Sequence, residues 1–195
     1  MKRSLGPRSI LYPTPTVVVG TYDPEGRPNM MTAAWAGVAC SSPAMVTVSL
    51  RQATYSHGNI VMRKAFTIGI PSEDQWREAD HVGVVSGRTA LKFQTTGFKA
   101  VRSELVDAPV VEDFPMTLEC KLFQTHDLGL HTQFIGEIMN VIVDEAILDE
   151  NDNVDIEKLR PIIFSPGATV YHGVGQLLGK GKTNRKLVRS EEAEE

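Results

Sequence analysis

The stretch SLRQATYSHGNI, Ser49 to Ile60, sets a guanidinium, Arg51, ahead of two hydroxyls, Thr54 and Ser56, where a β-rich run passes into a short helical segment around 60–63. Arginine makes forked contacts with phosphate, hydroxyls add donors, and the first amides of a helix are free to bind an anion. The combination describes a phosphate cradle. It also fits a plainer reading, in which Ser56 caps the helix and Arg51 is a solvated surface charge.

SGRTALKF, Ser86 to Phe93, is a second candidate. Ser86 and Gly87 break one helix, and Lys92 projects from the following turn, where its ammonium could meet an anion or lie on the surface. His131 heads a strand after a glycine loop and either faces a ligand or bonds to water. Other chemistries lack their residues. GVGQLLGKGKT, Gly173 to Thr183, has Gln176 where a P-loop needs glycine and Leu178 where a dinucleotide fingerprint does. The five histidines and two cysteines form no metal-ligand spacing, and there is no G-x-S-x-G elbow.

NMMTAAWAG, Asn29 to Gly37, has the hydrophobicity of a strand but mostly small side chains, with Trp35 standing among alanines. Such a strand lets a planar ligand approach its backbone, where an ordinary core strand would present Val, Ile or Leu. Alternation places Ala33 and Ala34 on opposite faces, so one should face the ligand and the other the core.

These groups need a β framework. Thr16 to Tyr22 and the strand from Asn29 flank the turn DPEGR and read as a hairpin. Ala44 to Arg51 and Phe66 to Ile70 are further strands, and Ser72 with Gln75 fits a capping box opening a helix. In Thr117 to Phe123, Leu118, Cys120 and Leu122 alternate with Glu119 and Lys121, the period of a half-buried strand, and His131 to Asp144 is its antiparallel partner. Antiparallel strands with short helices and no βαβ alternation predict a mainly β protein, a β-barrel with helical insertions. The 195 residues, 42% hydrophobic, suit one domain spanning 1–195, with 180–195 a charged tail. A net charge of -4 gives no general attraction to nucleic acid or anionic lipid, and no apolar run approaches the length of a membrane span. The basic N-terminus has no apolar signal core, and Cys40 and Cys120 read as buried free thiols, so a cytoplasmic location is expected.

Four segments, N-x-M-T-A-A-W from Asn29, S-L-R-x-x-x-Y-S-x-x-N-I from Ser49, F-x-I-x-I-P from Phe66 and S-G-R-x-x-x-K-F from Ser86, together resemble the flavin reductase-like family, and within it flavoredoxin. The likeness runs from about Leu11 to about Gly175. It implies an FMN-binding split β-barrel of Greek-key-like antiparallel strands, without a Rossmann domain, and a homodimer with flavin near the subunit interface. Asn29 and the backbone of Thr32 to Ala34 would then meet the polar edge of the isoalloxazine, with Met31 and Trp35 beside it. Arg51 and Ser56, with Leu50 alongside, match the phosphate side; many relatives carry Thr in place of Ser56, which keeps the hydroxyl. Ser86, Gly87 and Lys92 match a flavin-contacting segment, and His131 and Phe164 match pocket-lining positions contributed by the same or the partner subunit. The implied function is NAD(P)H-linked flavin reduction or electron transfer to redox proteins, with no catalytic side chain; the alternative is a non-catalytic flavin-binding or storage module. Motifs of the pyridoxamine-phosphate oxidase relatives are absent.

Overall fold

The computed structural model describes residues 1–179 and 181. In chain order the strands are β1 (Thr14–Pro15), β2 (Val17–Tyr22), β3 (Pro28–Ala33), β4 (Ala36–Ser41), β5 (Ala44–Arg51), β6 (Ala65–Ile70), β7 (Ala100–Arg102), β8 (Pro109–Val111), β9 (Met116–Asp127), β10 (His131–Val143), β11 (Ile163–Ser165) and β12 (Val170–His172). The helices are α1 (Tyr55–Arg63), α2 (Trp76–Val84), α3 (Lys92–Thr96) and α4 (Ile156–Leu159). The predicted hairpin is β2–β3, held at its turn by Asp23 Oδ1, which accepts from the amides of Glu25 and Arg27. Gly26 supplies the positive φ. The helix expected near Ile60 begins earlier, at Tyr55.

Seven strands form one antiparallel sheet in the order β3-β2-β6-β9-β10-β5-β4. Its two edges, β3 and β4, are consecutive in the chain and separated only by Ala34 and Trp35. Two residues cannot span a flat seven-stranded sheet, in which neighbouring strands lie about 4.8 Å apart, so the sheet must curl until its edges meet. This is the split barrel. Trp35 O accepts from Ser49 N at 2.8 Å, which stitches the junction to β5. The strand expected to run unbroken through NMMTAAWAG is therefore two strands, with a bend at the barrel seam.

The barrel interior is apolar: Val17 and Val19 of β2, Ala33, Val48, Leu50, Phe66, Ile68, Cys120 and Phe134, with Ile60 reaching in from α1. Val18 points the other way, into a second cluster with Met30, Ala79, Val82 and Phe114 under α2 and β8. The run Val17 to Val19 is thus buried on both faces, which is why it shows no alternation. The β7–β8 hairpin comes so close to the sheet that a Cβ on Gly20 would meet Pro109 O at 2.6 Å. Glu119, expected on the open face of its strand, is covered here and only 3% exposed. Cys120 is a buried free thiol as expected, whereas Cys40, on the edge strand β4, is only half-buried. Among the described residues no helix is long and apolar enough to cross a membrane. The tail expected at 180–195 lies, apart from Gly181, outside the described residues.

Candidate functional site

A groove of about 470 Å³ opens along the barrel seam. Its floor is Ala34, Trp35, Ala36 and Gly37, one wall is Thr47, Ser49 and Gln133 on β5 and β10, and the other is the N-terminal segment from Arg8 to Pro15. The bend separates the alanines: Ala33 is packed in the barrel core, while Ala34 is half-buried and lines the groove. Opposite roles follow, as alternation predicts.

The pairing of β5 with β10 extends this surface. Gln133 lies opposite Ser49 and His131 opposite Arg51. Side chains two residues apart share a face, so Arg51 and His131 continue the wall of Ser49 and Gln133, about 7 Å further along the strands. Arg51 is exposed and makes no ion pair among the described residues. Directly after it the chain turns into α1: Thr54 Oγ1 donates to Arg51 O at 2.9 Å, and Thr54 stands at the N-cap without capping the helix through its side chain. The first-turn amides of α1, at the positive end of the helix, are left without a side-chain partner.

Ser56 is not the cap. It is the second helical residue, buried, and its Oγ accepts from Asn29 Nδ2 at 2.9 Å. Asn29 also donates to Thr21 Oγ1 at 3.2 Å, and its Oδ1 is buried with no partner among the described residues. Gly87 packs on that amide so closely that a Cβ there would lie 2.1 Å from Oδ1. Ser86 is exposed in the same loop, its carbonyl accepting from Thr89 and Ala90. Lys92, 4% exposed, opens α3 and donates from Nζ to Val82 O at 2.7 Å; burial pulls its ammonium down to about 8. Thr32 donates to Ala79 O on α2.

The expected residues therefore fall into three settings. Ala34, Trp35, Arg51 and His131 share the groove and its extension, and Phe164, opposite Thr14 in β11, stands behind the N-terminal wall. Asn29, Ser56, Gly87 and Lys92 form the polar packing between β3, α1 and the α2–α3 loop. Met31, Ala33 and Leu50 belong to the barrel core or pack on it; Ala33 and Leu50 are buried, so a ligand could meet only their main chain, whereas Met31 is half-buried. Sequence reasoning missed Ser49, Gln133 and the N-terminal wall. The two-residue spacing of Ser49 and Arg51 held the signal for the first.

A second network braces the mouth of α1. Asp23 Oδ2 accepts from Arg27 Nε at 2.8 Å and Tyr55 Oη at 3.0 Å, and the Arg88 guanidinium lies 5.4 Å from the Tyr55 ring centre while donating to Ala53 O. Burial alone would raise the Asp23 carboxyl, but the hydrogen bonds from Arg27 and Tyr55 outweigh it and hold it below the usual carboxylate range. His57 Nε2 lies 2.9 Å from Thr132 Oγ1, and burial lowers that imidazole.

The family model for the flavin reductase like domain matches residues 8–170. The chain belongs to the flavin reductase-like family. Among solved structures it is similar to flavoredoxin of Desulfovibrio vulgaris (Miyazaki F), at 49% identity and TM-score 0.91, covering 95% of this chain and 100% of that one. Flavoredoxin from Methanosarcina acetivorans matches at 25% identity and TM-score 0.89, over 95% and 98% of the two chains. An FMN-binding protein from Thermus thermophilus, solved with 1-cyclohex-2-enone, shares the fold at 23% identity and TM-score 0.74, over 89% and 94%.

Proposed function

We propose that this chain is an FMN-binding oxidoreductase of the flavoredoxin type, working as a homodimer and passing electrons between NAD(P)H or a redox protein and an acceptor. The observation that carries this reading is the continuity of a small-residue groove floor with an unpaired arginine and an uncapped helix N-terminus. Those features suit a molecule with a flat ring at one end and a phosphate at the other. Ala34, Ala36 and Gly37 carry no side chain large enough to hold a ring away from the floor. Arg51 would fork onto the phosphate, with the first-turn amides of α1 beside it. One guanidinium and one helix end suit a single terminal phosphate, which favours FMN over FAD.

Bound there, FMN supplies hydride or single-electron chemistry. The protein's part is to bind, orient and shield. Asn29 and Gly87 hold α1 and the α2–α3 loop against β3, so the phosphate end is set by packed elements; at the ring end Trp35 joins the floor and the N-terminal segment forms a wall. The flavoredoxin match supports electron transfer, and the family match supports flavin reduction.

Titrating apoprotein with FMN tests the reading. Arg51→Ala should keep the fold and weaken FMN by about 1.5 to 3 kcal/mol, roughly ten- to 150-fold. Unchanged affinity removes Arg51 from the site. Rapid anaerobic bleaching of the bound flavin by NADH or NADPH favours the reductase; bleaching only by a reduced redox protein favours the carrier.

A further inference from the structure

On the outer face of the barrel, away from the seam, the β7–β8 hairpin and the ends of β9 and β10 enclose a second cavity of about 460 Å³. Three of its polar residues are almost wholly buried: Ser103, 5% exposed, whose Oγ accepts from the amides of Leu105 and Val106, and Thr117 and Glu119. Thr117 is 1% exposed and its hydroxyl has no partner among the described residues; Glu119 is 3% exposed. The Glu119 carboxylate accepts one hydrogen bond, from Asn140 Nδ2 at 2.9 Å to Oε2, and makes no ion pair among the described residues. A buried carboxylate with one neutral donor is costly unless a cation completes its shell. The rest of the lining includes the apolar side chains of Val101, Leu105, Val110 and Ile142, and the exposed charged side chains of Arg102, Glu104 and Glu112. Arg102 makes no ion pair with Glu119, and Glu112 is paired with Lys99.

We propose that this cavity binds an alkylammonium group, whose charge pairs with Glu119, one of whose remaining protons reaches the Thr117 hydroxyl, and whose methylenes lie against Leu105 and Ile142. A carboxylate offers the ammonium charge compensation that a neutral alcohol of the same shape lacks, and the apolar wall takes the chain. The group comes from a free amine or from a lysine of a second copy of this chain. The cavity is independent of the flavin groove: none of its residues lines that groove.

Calorimetric titration of the purified full chain with n-butylamine, and with n-butanol as the uncharged control, tests this. The amine should bind and the alcohol should not. Glu119→Gln, which keeps the shape and a hydrogen-bonding partner for Asn140, should weaken the amine about tenfold or more. Thr117→Val should fold at least as well as the parent, because it removes an unsatisfied hydroxyl, and should also bind the amine more weakly. If a second copy supplies the group, Glu119→Gln shifts the chain toward monomer in sedimentation and millimolar butylamine does the same to the parent. Equal binding of amine and alcohol, or no loss of amine binding in Glu119→Gln together with unchanged assembly, overturns the proposal. Where Glu119→Gln and Thr117→Val leave the assembly unchanged, FMN affinity serves as the internal control and should be the same in both variants.

Discussion

Lys92 is held by a main-chain carbonyl rather than by a carboxylate, and that choice has a measurable consequence. Val82 O accepts one of its three protons but adds no charge, so burial dominates and its pKa falls from 10.5 to about 8. Between those values the unfolded chain holds a proton that the folded chain lacks, so the stability contributed by this group rises as pH increases through the window. In urea unfolding, the parent should gain on the parent-minus-variant difference against Lys92→Met, by about 3 kcal/mol at most, between about pH 8 and 10.5. A flat difference would show that Lys92 stays protonated in the fold. Asp23 has the same sign in an acidic window: its lowered pKa means that its contribution is present above the unfolded carboxylate value and disappears as pH falls through the folded one.

At the level of elements, the bend between β3 and β4 makes a single prediction with two arms. Ala33 closes β3 inside the barrel core, where Val48 and Phe66 leave a close-packed neighbourhood, whereas Ala34 faces the groove. Val at Ala33 should overpack the interior and cost about 1 to 3 kcal/mol of apoprotein stability. Val at Ala34 should leave melting nearly unchanged and abolish FMN binding, because its branch stands where the ring would lie. Two variants that both bind FMN like the parent would make this bend a device for closing the barrel alone. The closure role is secure on geometry, since β3 and β4 are the two edges of one sheet.

Considered as a whole, the molecule leaves large apolar side chains on the far half of its longest hairpin. Phe123 of β9 is 59% exposed and Leu130, at the turn into β10, 66%, with Leu128 also exposed. Side chains of this size gathered on one hairpin suit an interface, and two-fold dimers are the commonest assembly. Sedimentation of dilute holoprotein should give a dimer, and Phe123→Glu with Leu130→Glu should give a folded monomer with weakened FMN. A monomeric parent that retains tight FMN would mean that one chain builds the entire flavin site.

The legible part of the fold was what local pattern encodes. Pro and Gly in DPEGR marked the β2–β3 turn, the alternation of Leu118 and Cys120 marked the inward face of β9, and four motifs in order pointed to the family. Hydrophobic period, however, reports only which face a strand turns to the core. It cannot report what arrives to cover the other face. Glu119 read as solvent-facing because β7–β8, the hairpin that buries it, is short and has little pattern of its own; Ser56 read as a phosphate-side hydroxyl or a cap because its partner, Asn29, is 27 residues away. The unbroken run Asn29 to Gly37 likewise hid a bend that arises only because the seven strands on either side must close on each other. The sequence alone determined the long strands of the main sheet, the inward face of β9 and the family. Which polar groups are buried, which alanine meets the groove and where the barrel splits depend on contacts between residues far apart in the chain, and only the tertiary structure decides them.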